Sequence, residues 1–431
     1  MSSPSPPRRA SSAARGSNRG RLVEALRRQG PLPRVELARN TGLSFAAISA
    51  ITSRLIAEEL LCETVTAAAT SWADDTDEED ADGPNGRRRG RPAIQLTLNP
   101  EFGRIVAVSL RMNLIETLIA DFSGSGLAQS RLALETRALD AGALCDIVIA
   151  QIDAMLDATG TPRGRLLGIG IALQGIVNAD TGRHLWSPAL SVTDVDLATP
   201  IRRIFKVDVV MANDAVPVAL ALAAAEPALA EGLAATITVG HGVGMGVVVN
   251  GEARWGVGAS SEIGHVKLAP NGPQCRCGQR GCVEAYLADY ALYRDARTFV
   301  DLPPAVSQQP SEAQMALLRD RARGGDPRLE QLFRHAGHAL AEAVAATISV
   351  LRPHHVILAG PGLQAFDMMR NAYEERLEQA ALPWLLKSTA IYVRPSKSTA
   401  IVDGMMRRTL RVVDQNYMET TERTSGAAAL V

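Results

Sequence analysis

Residues 262–286 read EIGHVKLAPNGPQCRCGQRGCVEAY. His265 precedes Cys275, Cys277 and Cys282, which form a C-x-C-x4-C array. Three thiolates and one imidazole complete a tetrahedral shell for Zn2+, and the glycines of the loop let the backbone bend until the sulfurs converge. Buried free cysteines are common in proteins. Here, however, three of the chain's five cysteines fall within eight residues, which favours a metal site in a reducing compartment over a disulfide framework. With His265, Cys275, Cys277 and Cys282 as ligands, no coordination position is left for water. One structural zinc per chain is therefore expected.

Outward from this loop the chain alternates between strand and helix patterns. Strands are predicted at Ile105–Leu110, Ile115–Asp121, Leu167–Leu173, Val207–Met211, Ala235–Val239, Met245–Val249 and His355–Leu358, with helices at Ala141–Ala158, Gln331–Leu351 and Ala365–Ala380. Glycine-punctuated strands interleaved with helices give a two-lobed α/β body. The predicted boundaries are 99–210 plus about 400–415 for one lobe, 211–399 for the other with the zinc site, and a flexible tail over 416–431. At 431 residues and 46% hydrophobic composition, the chain suffices for about three folding units with a sizeable core.

The front of the chain is different. Residues 1–19 are rich in Ser, Pro and Arg, and they are predicted to form a disordered basic arm. Leu22, Val23 and Leu26 share one face of a first helix that Gly30-Pro31 stops. Pro33 suits the first turn of a second helix carrying Val35, Leu37 and Ala38, which Thr41-Gly42 ends. Ser44 caps a third whose Ile48, Ile51 and Leu55 face inward. Two short helices, a glycine turn and a longer helix read as a helix-turn-helix, against the alternative of a small bundle without a ligand. Leu60–Val65 and Ile94–Leu98 read as strands of a wing, making a winged helix-turn-helix over 20–98 with an inserted loop over 66–92. That loop turns from acidic to basic, ending in Arg87, Arg88, Arg89 and Arg91 before Pro92. The residues expected to face DNA are Ser44, Phe45, Ala46, Ser49, Thr52 and Arg54 on the third helix. Arg89 and Arg91 would enter a narrow A·T-rich minor groove, and Phe45 would pack on thymine methyls.

Lys plus Arg is 45 and Asp plus Glu is 46, so a wholly basic nucleic-acid coat protein is excluded while a local basic module is not. No stretch reaches 18 uninterrupted apolar residues, and no apolar segment follows the N-terminal arginines. The expectation is a cytoplasmic protein with no membrane partner. Cys62 and Cys145 are expected in the core, and His335 and His338 at the surface or in packing.

The segment Glu262–His265 followed by CRCGQRGCVEAY resembles the signature of the ROK family (repressors, open reading frames and sugar kinases). The resemblance spans nearly the whole chain. Residues 30–61, GPLPRVELARNTGLSFAAISAITSRLIAEELL, resemble the DNA-binding domain of the family's regulators, and 101–410 resemble its actin-like sugar-kinase body. The resemblance implies sugar contacts at Asn213, Asp214, Glu262, His265 and Glu284. In the kinases the Asp of Asn-Asp deprotonates a sugar hydroxyl. The alternative for Asn213-Asp214 is a helix N-cap.

The chain also departs from the family pattern. An Asp-x-Gly-Gly-Thr-like loop approaches the ATP phosphates in the kinases, whereas this chain has Ser109-Leu110-Arg111-Met112-Asn113. The acid and both glycines are gone, so ATP is not expected to bind. His241 stands where kinases carry a hydroxyl, Pro361 interrupts the second Gly-Gly, Gln174 replaces Pro, and Ser261 replaces Gly.

The function these features imply is a sugar-responsive transcriptional regulator, a repressor in the usual case. As a homodimer or tetramer it would bind a palindromic, A/T-rich operator and would change geometry when a sugar binds. Its rival is an active ATP-dependent sugar kinase with an appended DNA-binding domain. A regulator answering a protein partner is a third reading.

Overall fold

The computed structural model describes residues 17–65, 94–253, 261–306, 308–395 and 399–428. The chain divides into two compact units. One is Met1–Gly103 with Asp121–Ser125 and Val412–Val431, and the other is Arg104–Ala120 with Gly126–Arg411.

The first unit contains helices Asn18–Gln29, Arg34–Thr41 and Phe45–Ala57 and a three-stranded sheet. Ser17 and Ser44 cap the first and third helices by accepting from Gly20 N and Ala47 N, both at 3.2 Å. The order of the sheet is Leu32–Pro33, Ile94–Leu98, Leu61–Val65, with antiparallel pairs Leu32↔Leu96 and Leu61↔Leu98. Pro33 therefore ends an edge strand, where its missing N–H costs no ladder bond, and the second helix starts one residue later than the sequence suggests. Leu22, Leu26, Leu37, Ile48, Leu55 and Leu96 fill the core. The third helix departs from expectation in its rotation. Its buried line is Ile48, Thr52 and Leu55, with Ile51 only half-buried. Thr52 is fully buried, accepts from Arg34 Nε at 3.2 Å and donates to Ser49 O at 3.2 Å. A threonine with both hydrogen-bonding roles met inside can occupy an inward position that its polarity argued against.

The second unit is a two-lobed α/β body built on two five-stranded sheets. The order of the first sheet is Asp208–Asn213, Leu166–Leu173, Arg104–Arg111, Leu114–Asp121, Gly126–Ala133. Its inner strands are buried along almost their whole length, as strands covered on both faces must be. Helices Ala141–Ala158 and Ala198–Phe205 share its core. The order of the second sheet is Glu252–Ala253, Val243–Val249, Leu233–Val239, His355–Ala359, Ala390–Arg394. Helices Pro327–Leu351 and Phe366–Ala380 pack on it around Val344, Ile348, Met369 and Leu358.

Two expectations need correction. The chain is helical from Ala400 to Ala428, where a flexible tail was expected from 416. Cys62 and Cys145, expected in the core, are half-buried. The basic arm over 1–16 and the wing loop, with Arg89 and Arg91, lie outside the described residues. Among the described residues, no helix is long and apolar enough to cross a membrane.

Candidate functional site

In the second unit, the carboxyl ends of the parallel strands from both sheets meet at one cleft, the position where open α/β sheets bind ligands. The first sheet contributes Arg111, Gln174 and Asp214; the second contributes the loops Gly240–Gly244 and Gly360–Pro361. Glu262, His265 and Glu284 also line the cleft.

All five residues expected to contact a sugar, Asn213, Asp214, Glu262, His265 and Glu284, line this cleft. Asp214 follows its strand directly. Burial pushes its carboxyl up to about 7; Arg111 opposes the rise and Glu262 adds to it. Glu284 Oε2 accepts from Val243 N at 3.1 Å, and its Oε1 lies 3.4 Å from the Tyr290 hydroxyl. Gly242 makes room for this carboxylate: a Cβ there would lie 2.9 Å from Glu284 Oε2 and 3.0 Å from Gln174 Nε2. Asn213 also serves the local fold. It donates to Gly175 O at 2.7 Å and accepts from Ala215 N at 2.9 Å, tying the strand end to the following helix.

His265 faces two groups. Its Nδ1 lies 3.7 Å from Cys275 Sγ and its Nε2 lies 3.7 Å from Glu262 Oε2. Ligand atoms of His265, Cys275, Cys277 and Cys282 all lie within 4.8 Å of one another, an arrangement that can hold a metal ion. Gly281 shapes the loop. It has φ +71°, and a Cβ there would lie 1.5 Å from Ala269 O. Lys267 donates to Cys282 Sγ at 3.2 Å.

On the third helix of the first unit, Ser44, Phe45, Ala46 and Arg54 are exposed and Ser49 is half-buried. Phe45 is 57% exposed, which no packing role explains. Thr52 is removed from this set by its burial.

Two cleft residues went unassigned by the sequence. Trp186 lies edge-on to His265 with ring centroids 6.0 Å apart. Gln174 is 8% exposed, and its Oε1 is buried without a hydrogen-bond partner. The Gln174 substitution for Pro was legible as a departure, but its role was not. Trp186 had no motif to mark it.

A family model described as the ROK family matches residues 114–406. The chain belongs to the ROK family. It is similar to the xylose repressor of Bacillus spizizenii, with 24% identity over 369 residues covering 85% of this chain and 88% of that protein. It is also similar to a glucokinase of Halalkalibacterium halodurans, with 27% identity over 280 residues covering 62% of this chain and 83% of the enzyme. Among solved structures, a ROK family transcriptional regulator homologous to the E. coli MLC protein superposes with a TM-score of 0.72 at 23% identity. It covers 94% of this chain and 98% of that one. The winged helix-turn-helix followed by a two-lobed body is thus a fold seen in that regulator.

Proposed function

We propose that this protein is a DNA-binding transcriptional regulator, acting as a repressor, whose cleft binds a sugar or sugar derivative that alters its hold on DNA. The winged helix-turn-helix over 20–98 would dock on an A/T-rich palindrome as a homodimer or higher symmetric assembly. Phe45, Ser44, Ala46, Ser49 and Arg54 would face the major groove, and Arg89 and Arg91 the minor groove. The similarity to the xylose repressor extends over 85% of the chain, further than that to the glucokinase, and supports the regulatory reading.

Asp214, Glu262, His265 and Glu284 would bind the sugar, with Asn213 holding the strand end that presents Asp214. Zn2+ suits the metal site. A Zn–S bond of about 2.3 Å sets tetrahedral thiolates about 3.8 Å apart, and Cys277 and Cys282 stand 3.7 Å apart. The ion would be structural, fixing the tautomer of His265 so that its free nitrogen serves the cleft.

A sugar kinase is the second reading, favoured by Asp214 and by the glucokinase relative. The observation that carries regulation over catalysis is Arg111, which stands buried at the strand end where the family's phosphate loop would begin. A phosphate needs close backbone approach there, and a guanidinium side chain fills the space.

The test is selection of binding sequences from random duplex DNA with the full-length protein, followed by competition with a sugar panel. Recovery of a palindrome that is released by a sugar supports the reading. Arg91→Ala should weaken binding by more than tenfold and lower the salt slope. Absence of any selected sequence would overturn the proposal.

A further inference from the structure

The geometry points to a second ligand site in the body: a cavity beside the cleft that holds a zwitterion with an apolar side chain, the chemistry of a free α-amino acid. The cavity lies within the second unit and encloses about 490 Å3, the size of a small-molecule site. Its walls come from the turn after the strand Arg104–Arg111, the strand Gly126–Ala133 and the helix Glu312–Arg323.

Asp289 carries the argument. It opens the helix Asp289–Ala296, is 6% exposed and lines the cavity. Its backbone N–H donates to Gly240 O at 2.8 Å, but no side chain caps the helix start. Burial pushes the Asp289 carboxyl up to about 6; Arg319 and then Arg276 oppose the rise, and Glu312 adds to it. These neighbours act as charges and not as hydrogen-bond donors, so at pH 7 a largely ionised carboxylate stands buried without a donor. Buried polar groups are rarely left so. A second acceptor repeats the deficit. Asn113 donates from its amide to Val306 O at 3.1 Å, while its Oδ1 is buried without a partner.

The charges on the walls balance. Arg111, Arg131 and Arg319 stand with Glu135, Asp289 and Glu312. Behind them, Glu116 pairs with Arg111 and Arg131, and Arg276 acts on Asp289. The acids Asp214, Glu262 and Glu284 line the cleft and not the cavity. A polyanion would meet the carboxylates here, and a simple cation the guanidinium groups. A zwitterion avoids both: its ammonium donates to Asp289 and Asn113 Oδ1, and its carboxylate accepts from the Arg319 fork. Met112, Leu114, Leu134, Pro310 and Met315 supply apolar surface for its side chain.

The test is calorimetric titration of the full-length, metal-loaded protein with L-leucine, L-methionine and L-phenylalanine. Leucine is matched with 3-methylbutylamine and 4-methylpentanoate, and phenylalanine with 2-phenylethylamine and 3-phenylpropanoate, each lacking one of the two charges. Leucine or phenylalanine should bind at least tenfold more tightly than both of its analogues. Asp289→Asn should weaken the amino acid and the amine about tenfold and leave the acid unchanged. Arg319→Gln, at a half-buried helix position, should weaken the amino acid and the acid and leave the amine unchanged. If Asp289→Asn disturbs folding, the Arg319 arm decides alone. An analogue that binds as tightly as its parent, or an amino acid that binds equally well to both variants, would overturn the inference. So would adenosine binding more tightly than every amino acid, or no amino acid binding at millimolar concentration. None of these outcomes bears on the sugar reading, which concerns the cleft.

Discussion

Arg27 and Asp414, 387 residues apart in the chain, form a two-pronged ion pair: Nε donates to Oδ2 at 2.6 Å and Nη2 to Oδ1 at 2.9 Å. Both side chains are 15% exposed. Arg27 also donates to Phe122 O at 2.6 Å and stacks over the Phe122 ring at 4.6 Å. Within the first unit it therefore joins the first helix, the 121–125 turn and the middle of the last helix.

Breaking this pair from one side leaves an uncompensated, largely buried charge. Asp414→Asn and Arg27→Met should each destabilise the first unit by about 1–3 kcal/mol. Arg27→Met combined with Asp414→Leu should cost less than the sum of the two, measured by denaturant unfolding as a double-mutant cycle. Strict additivity would mean that the pair contributes no coupling.

The metal site predicts a separation of DNA binding from response. Cys277→Ser removes one of four ligands and should abolish stoichiometric zinc in metal analysis. It should still bind DNA, because the helix-turn-helix core contains no metal ligand, but it should no longer release DNA when sugar is added. A metal-free variant that responds at the wild-type sugar concentration would reduce the site to a loop staple.

Asp214 predicts a pH dependence with a definite sign. Its folded carboxyl titrates near 7, above the ordinary 3.8. The unfolded chain therefore loses this proton first as pH rises, and stability falls between about pH 4 and pH 7. Asp289, pushed up to about 6 by burial, acts in the same direction. Asp214→Asn should gain on wild type by on the order of 2 kcal/mol between pH 5 and pH 8. Comparing the two proteins cancels the opposite trend of the metal site, and a constant difference would refute the shift.

The sequence was most legible where spacing enforces geometry. The C-x-C-x4-C array with His265 predicted a cluster that the structure assembles, and Ser44 was readable as a cap because an N-cap is a local bond. Thr52 was misread because helical periodicity weighs polarity, and a hydrogen bond from Arg34 on another helix reversed it. Asn213 was expected to contact a sugar, with a helix N-cap as the alternative; it lines the cleft and also accepts from Ala215 N. The small strands at Ile176–Asn178 and Arg183–Trp186 were missed, and with them the placement of Trp186. Segments of three or four residues carry too few side chains to show a period. The helix to Ala428 was missed because its last turns are polar and small, although its earlier part buries Met405, Leu410 and Met418.

Phosphoryl transfer should be absent. Asp214 can accept a proton, but Arg111 and Met112 leave no glycine-lined approach to hold a γ-phosphate in line. Protein with ATP, Mg2+ and a sugar that binds should give no sugar phosphate above background. Turnover that disappears in Asp214→Asn would restore the kinase reading.

The most direct test of the whole account is the affinity of full-length protein for its selected operator, measured with and without a sugar ligand that calorimetry shows to bind. The account predicts at least a tenfold change on ligand addition, lost in Glu262→Gln, which keeps the fold but alters a cleft carboxylate. An operator affinity that stays the same at saturating ligand would contradict it, because a ligand with no preference between the DNA-bound and free forms cannot regulate.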